Sequence, residues 1–471
     1  MNVDLKSGKL ELVEKYFTLY KTQITNFAVI FACALILTIP AFYNGYVFLF
    51  QDSADYLASW VRFYRLPVYG NFTLIGRIFG TPWPIAIAQG LIVAHLIYLV
   101  NKISFGKVNL KLYTLQIIGL TLFSSLPYVS AQIMADIFTP IMFLGLYILL
   151  FHRKKISILE KNYLKVLVVF SAMAHITNIY LGVGLVIFSA FVILIRAEDT
   201  KANLKTLGRG LGLLAFAAAY VVGLNAYYYK TWKLSPASSV FALANLIQNG
   251  TATLYLEQAC STQQLKICKF THAIPNSSDF FLWSRKSPLD KSLGSFRGFS
   301  NEAQFIVRDT IATYPKDVAI HAFNDFKRTF VVHAPAKELN SSVARSSVRG
   351  VLRIFYGMNA RDTFFKTKQA NDALPYQLLA NIDNIVFPLS LILVSLLSIL
   401  SLMNLRDNKS LLPLFTIVFL LGNNFLCALG SGVFDRYQAR VSWLLVFALM
   451  IGIGTIISQR KLIKAPIKIN E

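Results

Sequence analysis

ITNFAVIFACALILTIPAFYN, residues 24–44, holds no charged side chain and is long enough to cross the hydrocarbon core of a bilayer as a helix. Directly beyond it stands QDSADY, residues 51–56, with two carboxylates, Asp52 and Asp55. The run from Ile24 to Phe42 is too long, and too poor in small residues at a cleavage point, for a removable signal peptide, so it is expected to stay as an anchor. Charge where a helix leaves lipid is expensive and tends to be kept for a purpose, which makes the acidic pair a candidate site. The plain alternative is a polar helix start.

Working outward, apolar runs of similar length recur, 55% of the 471 residues are hydrophobic, and the mean hydropathy is +0.54. These values define an all-α polytopic membrane protein. Ten spans are expected, near residues 24–44, 84–100, 112–126, 137–151, 163–176, 179–195, 207–229, 383–403, 411–430 and 441–458. The fifth and sixth nearly touch, since Ala174-His175-Ile176-Thr177-Asn178 leaves almost no loop; as one bent helix they would invert everything downstream.

The placement of lysine and arginine orients these spans. With ten of them, the N-terminal tail and every second short connection hold 22 of the 46 basic residues, among them Lys102, Arg153, Lys154, Arg196, Arg406 and Lys464. The opposite short connections hold only Arg62, Arg65, Arg77, Arg436 and Arg440. Short cytoplasmic loops are basic, so both termini are expected in the cytoplasm, in a plasma membrane that for a bacterium is the inner one. The net charge of +23 is then mainly a topology signal with attraction to anionic lipid. Nucleic acid is excluded as a partner, because no basic patch interleaved with aromatics lies on a soluble module.

Four parts follow: a cytoplasmic tail at 1–23, an N-terminal transmembrane module at 24–229, an extracytoplasmic region at 230–380, and a C-terminal three-helix module with its tail at 381–471. The region 230–380 is domain-sized but poor in long apolar runs, which suggests helices lying against the membrane part rather than an independent core. One such helix is expected over Lys316 to His333, where Val318, Ala322, Phe323, Phe326 and Phe330 recur at helical spacing. Cys260 and Cys268 are expected to form a disulfide there, outside the cytoplasm. His272 nearby lacks the further ligands that zinc needs.

With sides assigned, the ionisable groups at span ends converge. Asp52 and Asp55 follow the first span, Asp136 lies in the next connection of that side, His175 and Asn178 form the third, and Asp435, Arg436, Tyr437 and Arg440 the last. Acids can accept a proton from a hydroxyl or hold a divalent cation, and arginines clasp phosphate bidentately. The set suits a phosphorylated substrate attacked by a nucleophile at the membrane surface, with apolar spans to receive a lipid tail. His95, within the second span, is a packing residue.

The first loop, Gln51-Asp52-Ser53-Ala54-Asp55-Tyr56, followed by an amphipathic stretch with Tyr56, Trp60, Phe63 and Tyr64, resembles the GT-C superfold of integral-membrane glycosyltransferases. Asp136 fills the place of the second acid in the next loop of that family. The stretch from Ser431 to Leu445, with Asp435-Arg436-Tyr437-Gln438-Ala439-Arg440, and the segments around Cys260, Cys268 and Phe281-Leu282-Trp283-Ser284 are similar to uncharacterised bacterial GT-C-like proteins. The chain departs from the family in its last third, which ends in three spans and a basic tail where GT-C enzymes often carry a soluble domain. The resemblance implies transfer of a sugar from a polyprenyl-phosphate carrier to a lipid, glycan or protein acceptor outside the cytoplasm, in the cell envelope. Asp52 or Asp55 would be the base, Arg436 and Arg440 would bind phosphate, and Asp136 with His175 would hold a divalent cation such as Mg or Mn, or orient the acceptor. Tyr56, Asn178 and Tyr437 are further site candidates. Two other readings share these charges: a transporter or flippase for a lipid-linked sugar, and a glycan polymerase or ligase centred on the long region. The absence of any internal repeat and the clustering of charge at one face favour the enzyme.

Overall fold

The computed structural model describes residues 4–196, 200–403 and 411–463, and among them every regular element is helical. The helices of the first part are α1 (Asp4–Leu37), α2 (Ile39–Asn44), α3 (Ser53–Leu57), α4 (Val68–Ile78), α5 (Trp83–Phe105), α6 (Leu110–Phe123), α7 (Leu126–Ala131), α8 (Phe138–Phe151), α9 (Ile158–Ala174), α10 (Thr177–Arg196) and α11 (Thr200–Tyr229). Those of the second are α12 (Ser238–Gln248), α13 (Thr251–Ala259), α14 (Ser278–Trp283), α15 (Pro288–Lys291), α16 (Ser295–Thr313), α17 (Pro315–Arg328), α18 (Val348–Phe365), α19 (Tyr376–Met403), α20 (Leu411–Gly430) and α21 (Asp435–Ile463).

Among the described residues, seven helices are long and apolar enough to cross a membrane: α1, α5, α10, α11, α19, α20 and α21. The other three expected spans are helical but shorter. Helix α6 has 14 residues, α9 has 17, and the apolar stretch ending in α8 runs from Ala135 to Phe151. At 1.5 Å per residue, a 14-residue helix reaches only about 21 Å. Two of them start at a local signal. Asn109 caps the start of α6 by accepting from the amides of Lys111 and Leu112, and Ser157 with Glu160 forms a capping box that starts α9. Helix α1 continues back to Asp4, through most of the expected 1–23 tail, while its membrane-length apolar window runs from Tyr20 to Leu37. The connection bearing Arg406 and Lys409 and the terminal residues Lys464 and Lys468 lie outside the described residues.

The fifth and sixth spans are separate helices. A side chain built on Gly182 would meet Leu214 and Met142, and one on Gly210 would meet Val186, Leu146 and Leu150. Helix α10 therefore runs antiparallel to α11 and parallel to α8. Asn178 holds the sharp α9–α10 turn, its buried Nδ2 donating to the carbonyl of Ser171 at 2.8 Å.

The region 230–380 divides between two cores. Residues of α12 to α16, from Ala237 to Ile306, bury their own apolar cluster, with Phe281 and Phe299 fully enclosed, whereas Val351, Leu352 and Phe364 of α18 join the main bundle core. The short apolar runs of this region are thus enough for a small core of its own. Cys260 and Cys268 are bonded to each other at the end of α13. The expected stripe on 316–333 is shorter as a helix, ending at Arg328. Phe326 and Phe330 pack together at 5.4 Å, while Phe323 at the edge stays exposed beneath the Lys327 ammonium.

Candidate functional site

Non-helical backbone within an apolar bundle must find hydrogen bonds, and here it finds them between the first two loops. The Phe48 amide donates to the carbonyl of Ala131 at 3.1 Å, the Ile133 amide to the carbonyl of Phe48 at 2.9 Å, and Ser53 Oγ to the carbonyl of Ile133 at 2.8 Å. Gln89, buried in α5, donates to the carbonyls of Ser130 and Gln132 and accepts from the hydroxyl of Tyr69. Gln369 does the same for the amide and carbonyl of Leu49. These bonds hold the segments carrying Asp52 and Asp136 side by side.

The expected amphipathic stretch after Asp55 is not a helix. Helix α3 ends at Leu57, Ser59 takes φ +52°, and Arg62 and Arg65 pair their backbones in a tight turn. The turn swings two guanidinium groups back onto the acids. Arg65 bridges both carboxylates, Nη2 to Asp52 Oδ2 and Nη1 to Asp55 Oδ2, each at 2.8 Å. Asp55 also accepts from Arg62 Nε at 3.3 Å and from the Tyr64 hydroxyl at 3.3 Å. From the far end of the chain, Arg436 Nη1 reaches Asp52 Oδ2 at 3.1 Å. Burial would raise the Asp52 carboxyl, but Arg65 and Arg436 overcome it and hold the group down at about 2. Aromatic rings fix both guanidinium planes: Arg65 lies over Tyr56 at 4.7 Å, and Arg436 over Phe50 at 4.4 Å and Tyr437 at 4.8 Å.

Arg440 has a different place from the one expected. Its side chain is 1% exposed and does not line the cavity. Its donors are spent inside the bundle: Nη1 on Asp136 Oδ1 at 3.2 Å and His175 Nε2 at 3.3 Å, Nε and Nη2 on Asn423 Oδ1 at 3.2 and 2.8 Å. A guanidinium so engaged cannot also clasp a phosphate. It equally displaces the expected divalent cation, since Asp136 and His175 both turn coordinating atoms towards this positive charge. Among the described residues no group of three His, Cys, Asp or Glu side chains is arranged to hold a metal, and we derive no step through one. Asn178 lies behind His175 as a turn fastener. Asp435 pairs with neither neighbouring arginine; it accepts from the Ala334 amide at 2.8 Å and meets Lys337 Nζ at 3.4 Å.

Arginine can only donate, so His175 Nε2 is the lone pair and Nδ1 carries the proton, donated to Thr177 Oγ1 at 2.6 Å. Burial and the adjacent Arg440 push the imidazole from 6.5 down to about 3. The folded state therefore keeps a neutral ring where the unfolded chain takes up a proton. Its stabilising effect is complete above about pH 6.5 and is lost progressively as pH falls towards 3. Thermal unfolding in detergent between pH 7.5 and 4 is expected to show wild type losing stability on acidification more steeply than His175→Gln. Parallel curves for the two would refute the neutral ring.

The acids and arginines of the first loop, with Asp136, His175 and Arg436, border one cavity of about 1980 Å³ at the loop-bearing end of the bundle. Its floor is the ion cluster of Asp52, Asp55, Arg65 and Arg436 with Asp136, His175, Tyr56 and Tyr437 beside it. One side is apolar, formed by Met173, Ile176, Leu426 and Leu429 at the ends of α9, α10 and α20. A further wall comes from the small core of α12 to α16 and carries Phe241, Trp283 and Phe296. Three acids not singled out from sequence, Glu338, Asp279 and Asp290, also reach the cavity. Glu338 accepts from the Arg436 amide at 3.3 Å, Asp279 stands on α14, and burial raises the carboxyls of both. Arg65, counted from sequence only as a topology charge, was betrayed by one signal: opposite charges sharing a single short connection with two acids.

The chain matches no family model, no curated protein and no solved structure.

Proposed function

We propose that this multi-pass membrane protein is a glycosyltransferase of GT-C type that moves a sugar from a polyprenyl-phosphate carrier to an extracytoplasmic acceptor. The observation that carries the reading is the Asp52 carboxylate held between Arg65 and Arg436 on the floor of a cavity with one apolar side. Phosphate is a better bidentate partner for the two guanidinium groups than a single shared carboxylate oxygen. When the donor's phosphodiester takes them up, Asp52 loses the positive field that holds its proton affinity low. The freed carboxylate accepts the proton of the acceptor hydroxyl as that oxygen bonds to the anomeric carbon. The bond from that carbon to the phosphate oxygen breaks, and polyprenyl phosphate leaves as an anion stabilised by Arg436 and Arg65. Asp136, aimed by Arg440, orients the acceptor, and the neutral His175 helps to hold Arg440 in place.

A charge cluster at one end of the bundle, rather than at mid-depth, supports an enzyme over a transporter. The wall contributed by α12 to α16 is what a polymerase or ligase would also use, and in that case the first-loop acids would be dispensable. Membranes containing the protein, supplied with radiolabelled polyprenyl-phosphate sugars, are expected to transfer label to an endogenous acceptor. Arg436→Gln is expected to raise the donor KM by about 10–150-fold, equivalent to losing a charged hydrogen bond of ~1.5–3 kcal/mol. Failure of every donor, or a KM indifferent to this substitution, overturns the reading.

A further inference from the structure

The cavity carries a second set of cations that the transfer chemistry leaves unused. Arg62, Arg65 and Arg436 on the floor each meet a carboxylate within 4 Å. Lys233, Arg285 and Arg297 also line the cavity, and among the described residues none of them forms an ion pair. They belong together. Lys233 Nζ donates to Gln304 Oε1 at 2.8 Å, and Gln304 lies seven residues, or two helical turns, beyond Arg297 on α16. Arg285 follows Trp283, whose ring packs 5.4 Å from that of Phe296, the neighbour of Arg297. Two acids share this wall. Asp279 is coupled to the floor, where Arg436 and Asp52 act on it, which leaves Asp290 alone against three cations.

All three cations are exposed and line a half-open cavity with no ion-pair partner among the described residues, so the charge of a ligand can reach them. Their neighbours are aromatic: Trp283, Phe296, Phe241 and Tyr64 pack ring against ring, with Tyr64 and Trp283 at 5.3 Å. Flat apolar faces beside donor-rich cations suit a saccharide that carries negative charge, the rings stacking on its C–H faces and the cations meeting its acidic groups. We infer that the wall of Lys233, Arg285 and Arg297 is a second binding subsite, and that it takes an anionic saccharide, phosphorylated or carboxylated, as the acceptor. The word acceptor rests on the proposed transfer reaction; the subsite itself rests on the wall alone. The two anions are then kept apart by construction, the donor phosphate on the floor arginines and the acceptor's charge on the unpaired set.

The test uses the purified full-length protein in detergent, with tryptophan fluorescence as the readout, because Trp60 and Trp283 line the cavity. Trigalacturonate, an acidic trisaccharide, is the probe, and maltotriose, neutral and of equal length, is its control. Saturable quenching by trigalacturonate is expected, weakened when NaCl is raised from 0.05 to 0.5 M and absent with maltotriose. Arg285→Gln with Arg297→Gln is expected to raise its Kd at least tenfold at an unchanged melting temperature, and Lys233→Gln alone to raise it severalfold. No saturable quenching, equal affinity for maltotriose, or a Kd untouched by both variants overturns the subsite. Arginine-dependent binding together with no sugar transfer in membranes upholds the subsite and overturns the reading that calls its ligand an acceptor.

Discussion

Asp52→Asn is expected to lower sugar transfer by about 10²–10⁴-fold, the range for losing a positioned general base. The substitution keeps size and shape, and the asparagine carbonyl still accepts from Arg65 or Arg436, so folding and expression are expected to hold. Asp55→Asn is the informative control. Asp55 gathers three donors, Arg62, Tyr64 and Arg65, and so acts by aiming Arg65. Its loss is expected to be smaller, at most about 10²-fold, in line with charged hydrogen bonds of ~1.5–3 kcal/mol. Initial rates at matched expression decide the matter. If Asp55→Asn is the more damaging, the roles are reversed; if neither matters, the first loop is not the catalytic element.

The second large effect concerns stability. Arg440→Met is expected to destabilise the protein by about 3–5 kcal/mol, because it leaves Asp136 charged and buried without its partner. The double variant Asp136→Asn with Arg440→Met is expected to recover most of that loss, since neither charge remains. Unfolding of the two single variants and the double variant in one detergent gives the coupling directly. A double variant as unstable as the sum of the singles would show that Arg440 acts through Asn423 or packing and not through Asp136.

How far the sequence led can be followed residue by residue. The all-helical membrane class was legible from the apolar runs, and sorting span-end charges by side put Asp52, Asp136, His175 and Arg436 at one face of the bundle without showing that they meet. Arg440 was legible as a neighbour of that cluster but not in its role. Four residues along a helix turn a side chain by only about 40° yet carry it about 6 Å deeper. That shift takes Arg440 off the cavity wall and into the bundle beneath Asp136. Glu338 and Asp279 could not be found, because the 230–380 region has no periodicity that says which of its many polar residues turn inward. Arg65 was misread because a charge count by loop ignores the turn that folds Arg62 and Arg65 back over the acids. The short α6 and α9 went unrecognised as such, since in a chain this apolar a run reads as a span even where, as at 112–126 and 163–176, it is short.

Asp55 finds its arginines 7 and 10 residues away, almost as soon as it is made. Asp52 meets Arg65 within the same loop but waits for Arg436, 384 residues later, and Asp136 waits for Arg440, 304 residues later. At about 5–20 residues per second, translation alone separates Asp52 from Arg436 by about 20–80 s. During that interval Asp52 has only Arg65 and Asp136 has no counter-charge, so the earlier helices cannot close tightly around Asp136. Helix α21 therefore works as a keystone: it follows the other described helices, gives Asp136 its counter-charge and Asp52 its second, and completes the ion cluster as it completes the bundle.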